Sequence, residues 1–235
     1  MAKIIFLGDI AAPFDVNGKN IHNAEQVFSS KHVVVNLEGA LVEGDCSKKN
    51  LFNHPSILQY LSKINTVLAS GANNHMFDVS SDCLATEALL KKQKIAFCGA
   101  GNSLSEASKP IFLELQGKKV CFLACGWSKI GCVIAKTKKS GVNAFNIEDT
   151  LRQVKKLHEN NPDASIVLLV HWGYELELYP LPLHREFAFQ LVDAGVSLII
   201  GAHSHCVQGI EVYKGVPIVY GLGNWFLPSG FFLGW

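Results

Sequence analysis

Residues 197–205 read Ser197-Leu198-Ile199-Ile200-Gly201-Ala202-His203-Ser204-His205. A short aliphatic run bounded by small residues is a buried strand, and this one delivers two imidazoles where the chain leaves the core. The same event recurs along the sequence. Residues 4–8 lead to Asp9, 33–37 to Glu38, 66–73 to Asn74 and His75, and 166–170 to His171. In a parallel sheet the carboxyl ends of the strands share one edge, and ligands bind in the crevice outside it. Residues spread over almost the whole chain can therefore meet at one place.

Outward from these runs, strand candidates lie at 3–7, 32–37, 66–69, 95–98, 120–124, 165–170 and 197–200. Helical spacing fills the gaps: Ile57, Leu58, Leu61 and Ile64 recur at three and four, and so do Leu151, Val154 and Leu157. Asn146 caps the second of these helices, with Glu148 and Asp149 in its first turn. Residues 83–93 and 183–193 complete the helical set. Such alternation is the pattern of βαβ units. It breaks at 111–127, centred on Gln116-Gly117-Lys118, and at 209–224, centred on Lys214-Gly215, which both read as antiparallel hairpins. An α/β protein with mixed sheets is expected. No repeat, low-complexity segment or long linker divides the chain, so 1–235 reads as one domain. The run Phe231-Phe232-Leu233-Gly234-Trp235 stops without polar residues, as a clipped edge strand would at a truncated C-terminus.

Two carboxylates, one amide oxygen and three imidazoles suit a borderline divalent ion such as Mn, Fe or Zn better than the all-oxygen shell of Mg or Ca. Six ligands exceed one tetrahedral site. Two ions are therefore expected, bridged at about 3.5–4 Å by a carboxylate assigned to Glu38. Two divalent ions held by Asp9 and Glu38 leave the site about two charges positive, which favours an anionic ligand. Taken singly, a strand-end His or Asp is more often a boundary residue or a turn-former; here order and residue type argue together. His22, His32, His54 and His158 read as surface residues. His184 and Arg185 follow a loop with Pro180 and Pro182 that could fold over the site.

Lys plus Arg number 21 against 20 Asp plus Glu, a formal net charge of +1. That balance excludes a nucleic-acid binder relying on a basic face. The seven cysteines (46, 83, 98, 121, 125, 132 and 206) are odd in number and contain no CxxC pair, so they read as reduced thiols filling core or loop positions. Met1-Ala2-Lys3 leads straight into an apolar strand with no signal peptide, and no apolar run approaches the roughly 18 residues of a membrane span. A cytoplasmic chain without a span of its own is expected, with any membrane association arising through partners.

Gly8-Asp9-Ile10, Asn36-Leu37-Glu38-Gly39, Ala72-Asn73-Asn74-His75 with Asp78, His171-Trp172-Gly173 with Glu175, Gly201-Ala202-His203-Ser204-His205 with Gln208, and Tyr220-Gly221-Leu222-Gly223-Asn224 resemble the ordered motifs of the bacterial CapA family. That family is associated with capsule and poly-γ-glutamate synthesis and is similar in turn to the calcineurin-like metallophosphoesterases. The resemblance runs from residue 8 to about 226. It implies a four-layer α/β/β/α sandwich of two mixed sheets. It further implies that Asp9, Glu38 and His205 hold a first metal, and that Glu38, Asn74, His171 and His203 hold a second. His75, oriented by Asp78, would face the leaving group as acid or electrostatic stabiliser, with a metal-activated water as the in-line nucleophile. The chain departs from the superfamily where Ala11 replaces the His of Asp-x-His, and where Glu38 replaces the usual bridging Asp. Both changes weaken the first site, and occupancy by a single ion is the alternative.

Candidate substrate contacts are Trp172, Glu175, Arg185 and Lys136. Lys136 lies with Lys129, Lys138 and Lys139 in a segment that could offer positive charge to a polyanion or could be a solvated loop. Trp127, Trp172, Tyr174 and Trp225 could stack on a sugar or base, and core packing serves equally well. Two function classes follow. One is a metal-dependent hydrolase or transferase acting on a phosphoester or on an anionic cell-envelope polymer such as poly-γ-glutamate. The other is a non-catalytic, metal-binding scaffold of a membrane-bound polymer synthesis or export complex. His75 favours the enzyme, because a closed structural site has no use for an acid beside an open position.

Overall fold

A computed structural model describes residues 4–17, 25–28, 30–43 and 50–227. The apolar run at 231–235, together with Cys46 and His22, lies outside the described residues. The first part of the chain runs β1 (Ile4–Ile10), α1 (Glu25–Phe28), β2 (His32–Leu37), α2 (Ile57–Lys63), β3 (Thr66–Ser70), α3 (Leu84–Lys92) and β4 (Ala96–Cys98). Short elements follow, namely β5 (Ala100–Gly101) and α4 (Leu104–Ala107), then the hairpin β6 (Ile111–Leu115) and β7 (Lys118–Gly126), and β8 (Gly141–Val142). The last part runs α5 (Ile147–Asn160), β9 (Ser165–His171), α6 (Pro182–Asp193), β10 (Val196–Ala202), β11 (Ile210–Tyr213), β12 (Val216–Val219) and β13 (Asn224–Phe226).

Two main sheets result, ordered β13-β1-β2-β3-β4 and β11-β12-β10-β9-β7-β6. Residue alternation along single strands stacks them into four layers. On β9, Ile166, Leu168 and Val170 pack with Val154 of α5 and with Ala188 and Leu191 of α6. Val167 and Leu169 instead join Val34, Leu68 and Phe122 between the sheets. On β2, Val33, Val35 and Leu37 face Ile57 and Leu61 of α2 and Leu90 of α3. Period two then carries Asn36 and His171, the next residues of the inward rows, into the gap between the sheets at their carboxyl ends. Asn36 and His171 both line the cavity there, with Val34, Leu169 and Ile200.

Only one of the two sheets is mixed. The strands of the five-stranded sheet all pair parallel, because α2 and α3 supply the crossovers that parallel neighbours need. Antiparallel pairing in the larger sheet is confined to β6–β7 and β11–β12 at its edges. Both hairpins turn at the expected residues, with Gln116 and Gly117 at φ 52° and 75° and Lys214 and Gly215 at φ 50° and 82°, the left-handed pair a tight hairpin requires. The second hairpin is shorter than its sequence suggests. Its returning arm ends at Val219, and Asn224 belongs to β13, which pairs parallel with β1 in the other sheet.

The segment between them fastens the sheets together at the site. Leu222 N donates to Gly201 O at 3.2 Å, and Asp9 N donates to Gly223 O at 3.0 Å. Gly8 permits this approach, since a Cβ there would lie 1.9 Å from Gly223 O. At the start of α5, Asn146 accepts from the backbone of Glu148 and Asp149, the cap expected from sequence. The described cysteines are free thiols; burial raises Cys98 and Cys132 to about 12, which leaves them inert filler. No helix among the described residues is long and apolar enough to cross a membrane.

Candidate metal centre

Glu38 follows β2 and is wholly buried. Neither of its carboxylate oxygens has a hydrogen-bond partner, although three imidazoles surround Oε1: His171 Nε2 at 3.6 Å, His205 Nε2 at 3.9 Å and His75 Nε2 at 4.0 Å. Asp9 at the end of β1 is equally buried. Its Oδ1 accepts from Asn36 Nδ2 at 2.7 Å, and its Oδ2 accepts from His203 N at 3.2 Å and lies 3.3 Å from His205 Nδ1. His171 Nε2 lies 2.8 Å from Asn74 Oδ1, and Asn224 Oδ1 sits 2.7 Å from His205 Nδ1. His203 Nδ1 is buried and unpartnered.

The backbone is bent to make this set. His203 and His205 stand at φ 92° and 55°, a region that side-chain-bearing residues avoid, so their local strain is held by the surrounding contacts. Around Glu38, Asn53 Nδ2 donates to the carbonyls of Glu38 and Gly39, while Asn73 donates to Leu37 O and accepts from Gly39 N. These amides fix the chain that carries the carboxylate and leave the carboxylate bare. A buried charge without donors costs several kcal/mol, roughly. Orphaned ligand atoms that converge from separate strands, in a mixture of carboxylate and imidazole, fit divalent cations of the Mn, Fe and Zn type. Two groups of ligand atoms stand within 4.8 Å of one another around Glu38: Asp9, Glu38 and His205, and Glu38, His171 and His203.

Electrostatics point the same way. Burial, reinforced by the charge of Asp9, pushes Glu38 up to about 8. Burial opposes charging of His205, but Asp9 and Glu38 outweigh it and hold the ring at about 9. Burial and the neighbouring imidazoles keep His171 well below its usual value and His203 at about 4. Glu38 and His205 thus bind protons more tightly in the folded protein than in the unfolded chain. The metal-free protein is therefore expected to lose stability as pH rises from the ordinary values of 4.5 and 6.5 through about 8 and 9. Cations that displace those protons remove the penalty. The rise in Tm on adding Mn should accordingly be larger at pH 8.5 than at pH 6, and a rise independent of pH would separate metal binding from this cluster.

Asp9, Glu38, Asn74, His171, His203 and His205 are gathered at one place, with His75 and Asp78 at its rim. His75 Nδ1 lies 2.7 Å from Asp78 Oδ2, and its side chain remains 25% exposed, so Nε2 faces both the centre and solvent. Glu175 stands beside His203 and His205. The other candidate substrate contacts are elsewhere. Trp172 is buried, donates Nε1 to Tyr220 O at 3.0 Å and stacks on His184, so it packs the core and offers no face to a ligand. His184 is held neutral by burial, at about 4, behind that stack. Arg185 points along α6 to grip both oxygens of Glu211 on the surface. Lys136 is exposed in a turn whose backbone pairs with Lys139 and Leu104, since the lysine segment folds back on α4. That loop approaches the centre at Gly131, where a Cβ would lie 4.0 Å from Asn74 Cβ. Asn36 and Asn224 were not expected as site residues. Their signals are an amide ending the valine run of β2 and an amide ending the Gly-rich 221–224 segment.

A family model for bacterial capsule synthesis proteins, PGA_cap, matches residues 4–228. The chain belongs to this family. Among its relatives, the capsule biosynthesis protein CapA of Bacillus anthracis is 28% identical over 222 residues, covering 89% of this chain and 53% of CapA. The PGA biosynthesis protein CapA of Bacillus subtilis is 30% identical over 176 residues, covering 74% of this chain and 46% of its own length. The chain thus spans about half the length of the curated relatives it matches. Among solved structures, the NAD nucleotidase NadN of Haemophilus influenzae shares the fold, with a TM-score of 0.57 at 15% identity over 94% of this chain and 50% of NadN. That likeness is one of fold alone.

Proposed function

We propose that this PGA_cap chain is a metal-dependent hydrolase or transferase of the metallophosphoesterase type. Its substrate would be a phosphoester or an anionic polymer of poly-γ-glutamate or capsule type. The observation that carries the reading is Glu38, a fully buried carboxylate with both oxygens free and three imidazole nitrogens aimed at it, at the mouth of which stands the His75–Asp78 pair. Asp9, Glu38 and His205 would hold one ion, and Glu38, Asn74, His171 and His203 the other. Bound there, divalent ions supply Lewis acidity toward an anionic oxygen and an activated water.

The chain's own groups supply the rest. Asp9 is oriented by Asn36 and by the backbone of His203, and Asn224 fixes the His205 ring. Burial works against a charged His75. The hydrogen bond to Asp78 and the charge of Glu38 outweigh it and raise its pKa, so the ring can hold a proton at Nε2 for a departing oxygen. Metal content by elemental analysis, on protein purified without chelator and again after Mn loading, tests this reading together with a panel of phosphoesters and poly-γ-glutamate. About two ions per chain and metal-dependent turnover are expected. Two ions with no turnover on any substrate would favour the scaffold in a synthesis complex. No metal under either condition would overturn the assignment.

A further inference from the structure

The loop after β9 holds a third carboxylate at the centre. Gly173 at φ 86° and Leu176 at φ 61° bend the chain on either side of Tyr174 and Glu175. Two hydrogen bonds fasten the bend to the loop that bears the histidines: Leu176 N donates to Ser204 O at 2.9 Å, and Gln208 Nε2 donates to Glu177 O at 2.9 Å. Tyr174 and Leu176 are half exposed, at 50% and 52%, whereas Glu175 turns inward between them. Its carboxylate and the ring nitrogens of His203 and His205 lie within 4.8 Å of one another. His203 belongs to the ligand group of one ion and His205 to that of the other, so Glu175 stands beside a member of each.

We infer that Glu175 is itself a metal ligand, a third carboxylate of the centre held beside His203 and His205. The inference rests on the metal reading above. It accounts for a loop pinned to the histidine loop at the two residues that follow this one. It also supplies the first ion, otherwise held by Asp9, Glu38 and His205 alone, with a further donor. With three carboxylates around two divalent ions the centre is about one charge positive, so an incoming anion meets less attraction than two carboxylates would leave. The charge of Glu175 already bears on Glu38 and His75, raising the proton affinity of both.

Calorimetric titration of the metal-free protein with Mn tests this directly. Glu175→Gln should weaken the looser Mn site by more than the roughly 10–100-fold that loss of an outer-shell partner alone produces. Glu177→Gln, which removes the same charge two residues away on an exposed side chain, should leave both sites as they were. Melting of the metal-free variants checks folding, which a half-buried loop residue should not disturb. Two Mn sites of unchanged affinity in Glu175→Gln would overturn the inference while leaving the centre intact. A wild-type protein that binds no Mn would overturn the centre and the inference with it.

Discussion

Glu38→Gln is expected to strip the protein of bound metal, to lower any metal-dependent turnover by at least about 1,000-fold and to make the metal-free protein more stable. The opposite signs arise from one cause. In the absence of cations Glu38 is a buried carboxylate beside Asp9, with no donor to either oxygen, and burial and Asp9 together raise it to about 8. Above that pH the folded protein carries a buried charge with no hydrogen-bond donor, which the amide removes. A gain of about 1–3 kcal/mol at pH 9 is the order expected for relieving an unsatisfied polar group. The same carboxylate is shared by both ligand groups, so its loss takes a donor from each ion at once. Thermal melts with and without Mn, alongside elemental analysis, would read all three effects. A Glu38→Gln protein that keeps two ions would show that the bridge lies elsewhere, and one that melts lower without metal would mark Glu38 as a structural residue. Stability given up at a functional site is the usual sign of such a group.

That these side chains gather at one place is legible because β-strands advertise themselves by period and composition, and because residue types able to hold a metal are few in kind. Val33, Val34 and Val35 running into Glu38, or Ile199 and Ile200 running into His203, need no tertiary information. What the sequence lacked was the division of the strands between two sheets. Period two is the same in either sheet, so nothing near Val219 shows that the next strand, at Asn224, pairs with β1 across the molecule. Long-range pairing decided the side chains that fell away. Arg185 is held by Glu211 and Trp172 by Tyr220 O, and neither partner is near in sequence. Asn36 gives no sign of its role in the sequence for the converse reason. A single amide in an apolar run resembles a tolerated core residue until its partner, Asp9, is brought opposite by the pairing of β1 with β2. Glu175 carried the opposite ambiguity. Its place two residues beyond His171-Trp172-Gly173 suggests a substrate contact, and the structure, with two hydrogen bonds pinning its loop, sets it against His203 and His205.

His75→Ala should leave two ions bound and the melting temperature nearly unchanged, yet lower turnover by about 100- to 10,000-fold, the usual span for a general acid. Three features separate this residue from its neighbours. Its side chain is 25% exposed where those of His171, His203 and His205 are buried, its Nε2 is 4.0 Å from the nearest carboxylate oxygen, and its Nδ1 is committed to Asp78. It can be removed without opening a hole in the core or taking a ligand from the deep cluster. Because the Asp78 hydrogen bond and the Glu38 charge raise its pKa in spite of burial, the proton should be lost at higher pH than from an ordinary imidazole. The wild-type rate should therefore fall as pH rises, and that limb should vanish in His75→Ala. Substrates with good leaving groups need little protonation, so their rates should fall least. Asp78→Asn should cost less, about tenfold, but it is the poorer test: Asp78 Oδ2 also accepts from Leu51 N at 3.1 Å, so the change disturbs the loop beyond the mechanism. An unchanged rate in a well-folded, metal-loaded His75→Ala protein would take proton transfer away from this residue and leave the metals to carry the leaving group alone.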